Sequence, residues 1–256
     1  ARVNRIRLQP WETIMMAKAA ENKYVGVNCG KLDQSCEVLC RKDQLLYLDC
    51  QDDSYQLIPK NHEMKPFKIA VFFSGLERSL ATSAYNLRQD ECKAAAYSLL
   101  AHAGLEYGKF ADTRLRDVPT PVFEEYKDEL PDNFRKRAQH YFGEYRRAEQ
   151  GAEAWRNGDL DTYGKLIFES GKSSIENYEC GCPELITLYN IMTETDGIYG
   201  GRFSGAGFKG CCMALVDPDK AEKIMREVGE KYLKVYPELA GKYMGALCDS
   251  ADGVKL

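Results

Sequence analysis

Long hydrophobic runs are missing from this sequence. None of its apolar stretches reaches the roughly 18 residues that a bilayer-spanning helix requires, so no membrane span is read. The opening Ala1-Arg2-Val3-Asn4-Arg5 is not followed by an apolar segment, so it does not read as a secretory signal. Histidine is scarce: His62, His102 and His140 stand apart, and the absence of an i, i+4 pair excludes a helical two-histidine zinc motif. Neither sign of charge dominates, with 35 Lys and Arg against 39 Asp and Glu, which argues against a basic nucleic-acid binder. Internal repeats and low-complexity linkers are also absent. Cysteine is not scarce, but Cys36/Cys40, Cys180/Cys182 and Cys211/Cys212 share no spacing, so the ten thiols read as reduced and the metal signal is weak. The expectation is a cytoplasmic protein with no membrane and no nucleic-acid partner.

What is present is globular: 44% of residues are hydrophobic and 29% charged. Leu45 to Cys50 and Phe67 to Ser74 read as strands, and a helix is expected from about Thr82 to Leu100 with Tyr85, Cys92, Ala96 and Leu99 on one face. Phe134, Ala138, Tyr141, Tyr145, Ala148, Ala152 and Trp155 recur at steps of four and three, a stripe expected to be core. The nearby Arg135, Lys136, Arg137, Arg146 and Arg147 read as a solvated helix face. Asn157-Gly158 supplies a stop, Asp159 a cap, and Pro183 opens a further helix. Ile198 to Phe203 and Cys211 to Val216 read as strands, Asp217-Pro218 starts a last helix, and Ala246 to Leu256 is expected to form an edge strand or hairpin. Strands segregated from blocks of helices predict an α+β fold whose mainly antiparallel sheet has helices packed on one face.

Gly205, Gly207 and Gly210 match the spacing of a dinucleotide-binding fingerprint, but that motif needs a helix after it, and a strand is expected here. The loop therefore joins strand to strand. Its glycines permit positive φ and bring bare backbone close to a ligand, or form a plain turn with one bulge.

Read together, Gly200-Gly201-Arg202-Phe203-Ser204-Gly205-Ala206-Gly207-Phe208-Lys209-Gly210-Cys211-Cys212 resembles the third conserved motif of the GHMP small-molecule kinases in its galactokinase form. Three more segments agree in order. The run from Glu21 to Gln34 resembles the stretch carrying the catalytic aspartate, Thr82 to Arg88 the segment whose tyrosine reaches the sugar, and Glu169 through Leu185 the helical block before the third motif. Ser170 to Gly181 is more similar to the galacturonokinase branch, since galactokinases usually carry histidine where Gly171 stands, and Lys209 replaces a common glycine.

The resemblance implies a ferredoxin-like C-terminal domain at 67–256, preceded at 1–66 by the remainder of an N-terminal domain. It implies an ATP-dependent sugar 1-kinase acting on galactose or galacturonate, with Mg2+ ligands mainly outside this chain. Asp33 would be the base, Gly30 and Tyr85 would contact the sugar, and Ser204, Gly205, Ala206 and Gly207 would shape the cleft wall. From residue type alone, Asp33 also reads as a cap for a helix beginning at Gln34, and Tyr85 as a buried face residue. The family's N-terminal sugar motif and phosphate loop have no counterpart here. The isolated chain is therefore expected to be inactive until an N-terminal segment or a second chain supplies them, and to expose apolar surface at Val25, Val27 and Leu32. A noncatalytic sugar sensor on the same fold is the alternative.

Overall fold

The computed structural model describes residues 8–76 and 84–254. Helix α1 (Pro10–Ala19) continues as a wider π-helical turn through Val25 and stops at Gly26, whose φ of 81° suits a residue without Cβ. Helix α2 (Leu32–Leu39) leads into a hairpin of β1 (Gln44–Leu48) and β2 (Tyr55–Pro59). Then come β3 (Lys68–Phe73), α3 (Tyr85–His102), α4 (Thr120–Tyr126), α5 (Asp132–Arg156), α6 (Leu160–Glu176) and α7 (Pro183–Thr193). Strands β4 (Ile198–Phe203) and β5 (Cys211–Val216), helix α8 (Ala221–Val235) and β6 (Met244–Cys248) complete the order.

Strands β3 to β6 form one antiparallel sheet in the spatial order β4-β5-β3-β6. With its helical block and α8, this is the β-α-β-β-α-β arrangement of ferredoxin-like folds. Alternation sets the faces. Ala70 and Phe72 of β3 point with Cys212, Ala214 and Val216 of β5 toward Leu185, Leu188 and Met192 of α7 and Ile224, Val228 and Tyr232 of α8. The opposite face is not bare: Ile69 and Leu215 meet Trp155, Leu160 and Ile167 from α5 and α6, so helices touch both sides of the sheet. Each fully buried side chain of this kind contributes about 1.5–3 kcal/mol.

Several boundaries follow local chemistry. Gly158 turns at a φ of 73°, and the Asp159 side chain then accepts from the Thr162 amide at 2.9 Å, capping α6. Helix α6 lies against β4 because Gly164 and Gly200 meet there: a Cβ on Gly164 would stand 2.1 Å from the Tyr199 carbonyl oxygen. At Gly171, a Cβ would fall 2.5 Å from the Tyr189 ring, so that ring fills the space a larger residue would need.

Four expectations need correction. The stripe on α5 is not continuous core: Ala138, Phe142, Ala152 and Trp155 are buried, whereas Tyr145 and Ala148 are exposed where the helix passes between two hydrophobic clusters. Arg137 is not solvated; it is 1% exposed. Helix α8 starts at Ala221, because 217–220 form a turn first. Val27 is buried, while Val25 and Leu32 are exposed. The expected start of α3 at Thr82 and Ser83 lies outside the described residues. Among the described residues no helix is long and apolar enough to cross a membrane.

Candidate active site

Asp33 is the second residue of α2. It does not cap that helix: the N-cap position belongs to Lys31, and no side chain bonds the free amides there. Lys31 turns instead toward the hairpin, where it is paired with Asp53. Asp33 lines a cleft of about 560 Å³ together with Phe73, Leu76, Ser204, Gly205, Gly210 and Cys211. Three stretches far apart in sequence, at 33, 73–76 and 204–211, meet here. They do so because β3 and the β4–β5 loop are neighbours in the sheet: the Ser74 amide donates to the Gly210 carbonyl at 2.9 Å, and the Ser204 amide to the Cys211 carbonyl at 2.9 Å.

The loop from Ser204 to Gly210 joins two strands, as its sequence suggested. Gly205, Gly207 and Gly210 all have positive φ, between 73° and 98°. Gly207 is also sterically confined, since a Cβ there would lie 2.9 Å from the Phe203 ring and 3.0 Å from the Cys180 sulfur. Successive peptides in such a conformation can turn N–H groups toward one point, the geometry of an anion-binding nest. Ser204 and Gly205 line the cleft, whereas Ala206 and Gly207, expected to shape its wall, are not among the lining residues.

Gly30 and Tyr85 are not among the lining residues, although the Asp33 charge acts on the Tyr85 phenol. Space beyond Gly30 is open, with no atom within 4 Å of where a Cβ would be. Burial, with the charges of Cys29 and Asp33 adding to it, raises the Tyr85 phenol above its ordinary range, and hydrogen bonds involving Gln89 and the Gly30 backbone pull it back. Tyr85 therefore reaches the loop that precedes Asp33. A second tie joins the same segments, as the Asn28 amide donates to Asn86 Oδ1 at 3.3 Å.

Phe73, Leu76 and Cys211 were not picked out from sequence. The alternation of β3 and β5 marks one residue set as core and leaves the strand ends unassigned, so only the paired strands reveal them. Among the described residues no three His, Cys, Asp or Glu side chains gather in a way that could hold a metal ion. Asp33 is the one carboxylate among the residues lining the cleft, a set too small to bind Mg2+ alone. The cleft brings one carboxylate residue together with the start and end of the glycine loop.

Residues 152–234 match the family described as GHMP kinases C terminal. Across 99% of its length the chain is 42% identical to the galacturonokinase of Arabidopsis thaliana, and across 98% it is 35% identical to the galactokinase of Roseiflexus sp. (strain RS-1). It spans 60% and 61% of those two proteins. The crystal structure of Lactococcus lactis galactokinase complexed with galactose superposes on 99% of the chain with a TM-score of 0.85 at 27% identity, the chain covering 63% of that structure.

Proposed function

The chain belongs to the GHMP kinases, and from that premise we propose that it carries the base and the glycine loop of an ATP-dependent sugar 1-kinase of the galactokinase or galacturonokinase type. One observation supports this above the others: Asp33 of α2 and Ser204 and Gly205 of the β4–β5 loop line a single cleft. Asp33 would accept the proton of the anomeric hydroxyl as that oxygen bonds to the γ-phosphorus of ATP, while the bond from that phosphorus to the β,γ-bridging oxygen breaks and ADP leaves with the electron pair. The loop peptides would face the developing negative charge with N–H dipoles that need no reorganisation. Tyr85 and the open space over Gly30 would place the sugar, and the chain would divide near residue 66 into two parts that share the cleft. Higher identity to the galacturonokinase than to the galactokinase favours galacturonate over galactose.

Phosphoryl transfer from ATP to D-galacturonate and D-galactose, measured with the full-length protein and its Asp33→Asn variant, tests the assignment. The variant is expected to lose roughly 100-fold or more in kcat, the scale of losing a general base. Sugar KM should change little, because the amide keeps the carboxylate's shape. Near-normal turnover with an intact fold would overturn the role of Asp33.

A further inference from the structure

Among the described residues Arg137 is the largest fully buried side chain, yet it lies outside the cleft. Its three nitrogens reach two segments, α3 and the loop that follows α6. Nε donates to Glu91 Oε2 of α3 at 2.6 Å, Nη1 to the Asn177 carbonyl at 2.5 Å, and Nη2 to Glu179 Oε2 at 2.8 Å. Glu91 also accepts from Arg88 Nη1 at 3.1 Å and Asn133 Nδ2 at 3.3 Å. Arg88 closes the circle, its Nε and Nη2 donating to the carbonyls of Tyr178 and Glu179 at 2.9 and 3.2 Å.

Both arms of this network end at the candidate site. On one side, Arg88 and Glu91 sit on α3 one and two turns after Tyr85. On the other, Glu179 holds a left-handed φ of 52° and is followed by Cys180 and Gly181, which lie beneath the glycine loop. The Cys180 sulfur fills the space beside Gly207, and the Phe203 ring lies 3.0 Å from where a Gly181 Cβ would be. Burial opposes ionisation of Glu91, but the bonds from Arg137 and Asn133 outweigh it and keep its carboxyl below the usual range, so the network stays charged. Buried ion pairs are often no more stabilising than packed apolar residues. Stability alone is therefore a weak reason to place four charges between these two walls.

We propose that Arg137 is a positioning residue for the sugar: its guanidinium fixes the separation between Tyr85 on α3 and the Ser204–Gly207 loop. A planar fork sets three directions at once, which a lysine ammonium on a flexible stem cannot do. The proposal rests on the reading of Tyr85 as a sugar contact, and a double-mutant cycle separates the two. Arg137→Lys and Arg88→Lys would each be made in the wild-type chain and in the Tyr85→Phe variant, and sugar KM, ATP KM, kcat and melting temperature measured in the full-length protein. Coupling through Tyr85 predicts that each Lys variant raises sugar KM about tenfold where Tyr85 is kept and less than about twofold in the Tyr85→Phe background, with ATP KM unchanged. Arg88→Lys keeps a cation beside Glu91, so it reports even where Arg137→Lys fails to fold. Equal factors in both backgrounds, or losses in both KM values that merely track melting temperature, would overturn the positioning role. A wild-type protein that phosphorylates neither sugar would overturn the kinase reading and this proposal with it.

Discussion

Burial sets the protonation state of His140. Its ring stands 4.8 Å from that of Tyr178, and Nδ1 lies 3.0 Å from Ser173 Oγ. Desolvation draws the pKa from 6.5 down to about 4, against the opposing pull of Glu144 and with Arg202 and Arg147 adding to the fall. The unfolded chain takes up this proton near pH 6.5 and the folded one only near 4. The neutral ring therefore gives its full stabilisation above pH 6.5 and loses it as pH falls toward 4, an amplitude of about 3 kcal/mol. Urea unfolding at pH 7.5 and pH 4.5 should show the wild type losing about 2–3 kcal/mol more than His140→Asn. Equal losses would assign the acid sensitivity to carboxylates instead. Arg137 was not legible as a buried group, and the half-buried setting of His140 was left open between surface and core. The carboxylates that neutralise Arg137 are 46 and 42 residues distant, so the local pattern shows only a cationic helix side.

Elements with a strong period of their own were read well, and contacts between elements were not. The bounds of β4 and β5 coincide with the expected strands because glycine and aspartate punctuate both ends. Helix α5 emerged at full length from its apolar spacing, but the same spacing concealed that its middle serves neither cluster, leaving Tyr145 and Ala148 at the surface. Nothing in the sequence marks Gly164 as a contact, since its requirement comes from a strand folded beside it. Adding one methyl group there would drive a carbon into the Tyr199 carbonyl oxygen at 2.1 Å, with backbone on both sides. Gly164→Ala should therefore destabilise by at least about 2 kcal/mol by forcing α6 off β4. Gly108, which has nothing within 4 Å, serves as control, and its alanine variant should stay within about 0.5 kcal/mol of wild type. Denaturant midpoints that match for the two variants would show that α6 shifts without cost.

Across the whole molecule, the two ends of the described chain brace each other. The hairpin is fastened by Trp155, whose Nε1 donates to the Ile58 carbonyl at 3.0 Å inside the cluster under β3. The stretch after β6 was expected to continue as strand or hairpin; instead it leaves the sheet at Cys248 and crosses to the far end of α2. There the Gly253 amide donates to the Cys40 carbonyl at 2.8 Å and the Val254 amide to the Glu37 carbonyl at 2.6 Å. Ser250 Oγ and Asp252 Oδ1 accept from the amides of Asp43 and Lys42, each at 3.0 Å. Carbonyls at a helix C-terminus need such donors, and α2 has only eight residues with which to hold Asp33 at its other end. Gly253 fits because a Cβ would lie 2.6 Å from the Glu37 oxygen and 3.1 Å from that of Val38. Gly253→Val should lift the segment away and cost about 1–3 kcal/mol. Amide exchange at Val38, Leu39 and Cys40 should accelerate while Ile224, Val228 and Tyr232 in α8 keep their protection. Turnover should fall with it, because the carboxylate of Asp33 rides on the helix being loosened. If the Val254 amide becomes unprotected while α2 exchanges at its original rate, the bracing is not what steadies Asp33, and the hairpin contact at Trp155 must hold α2 in place.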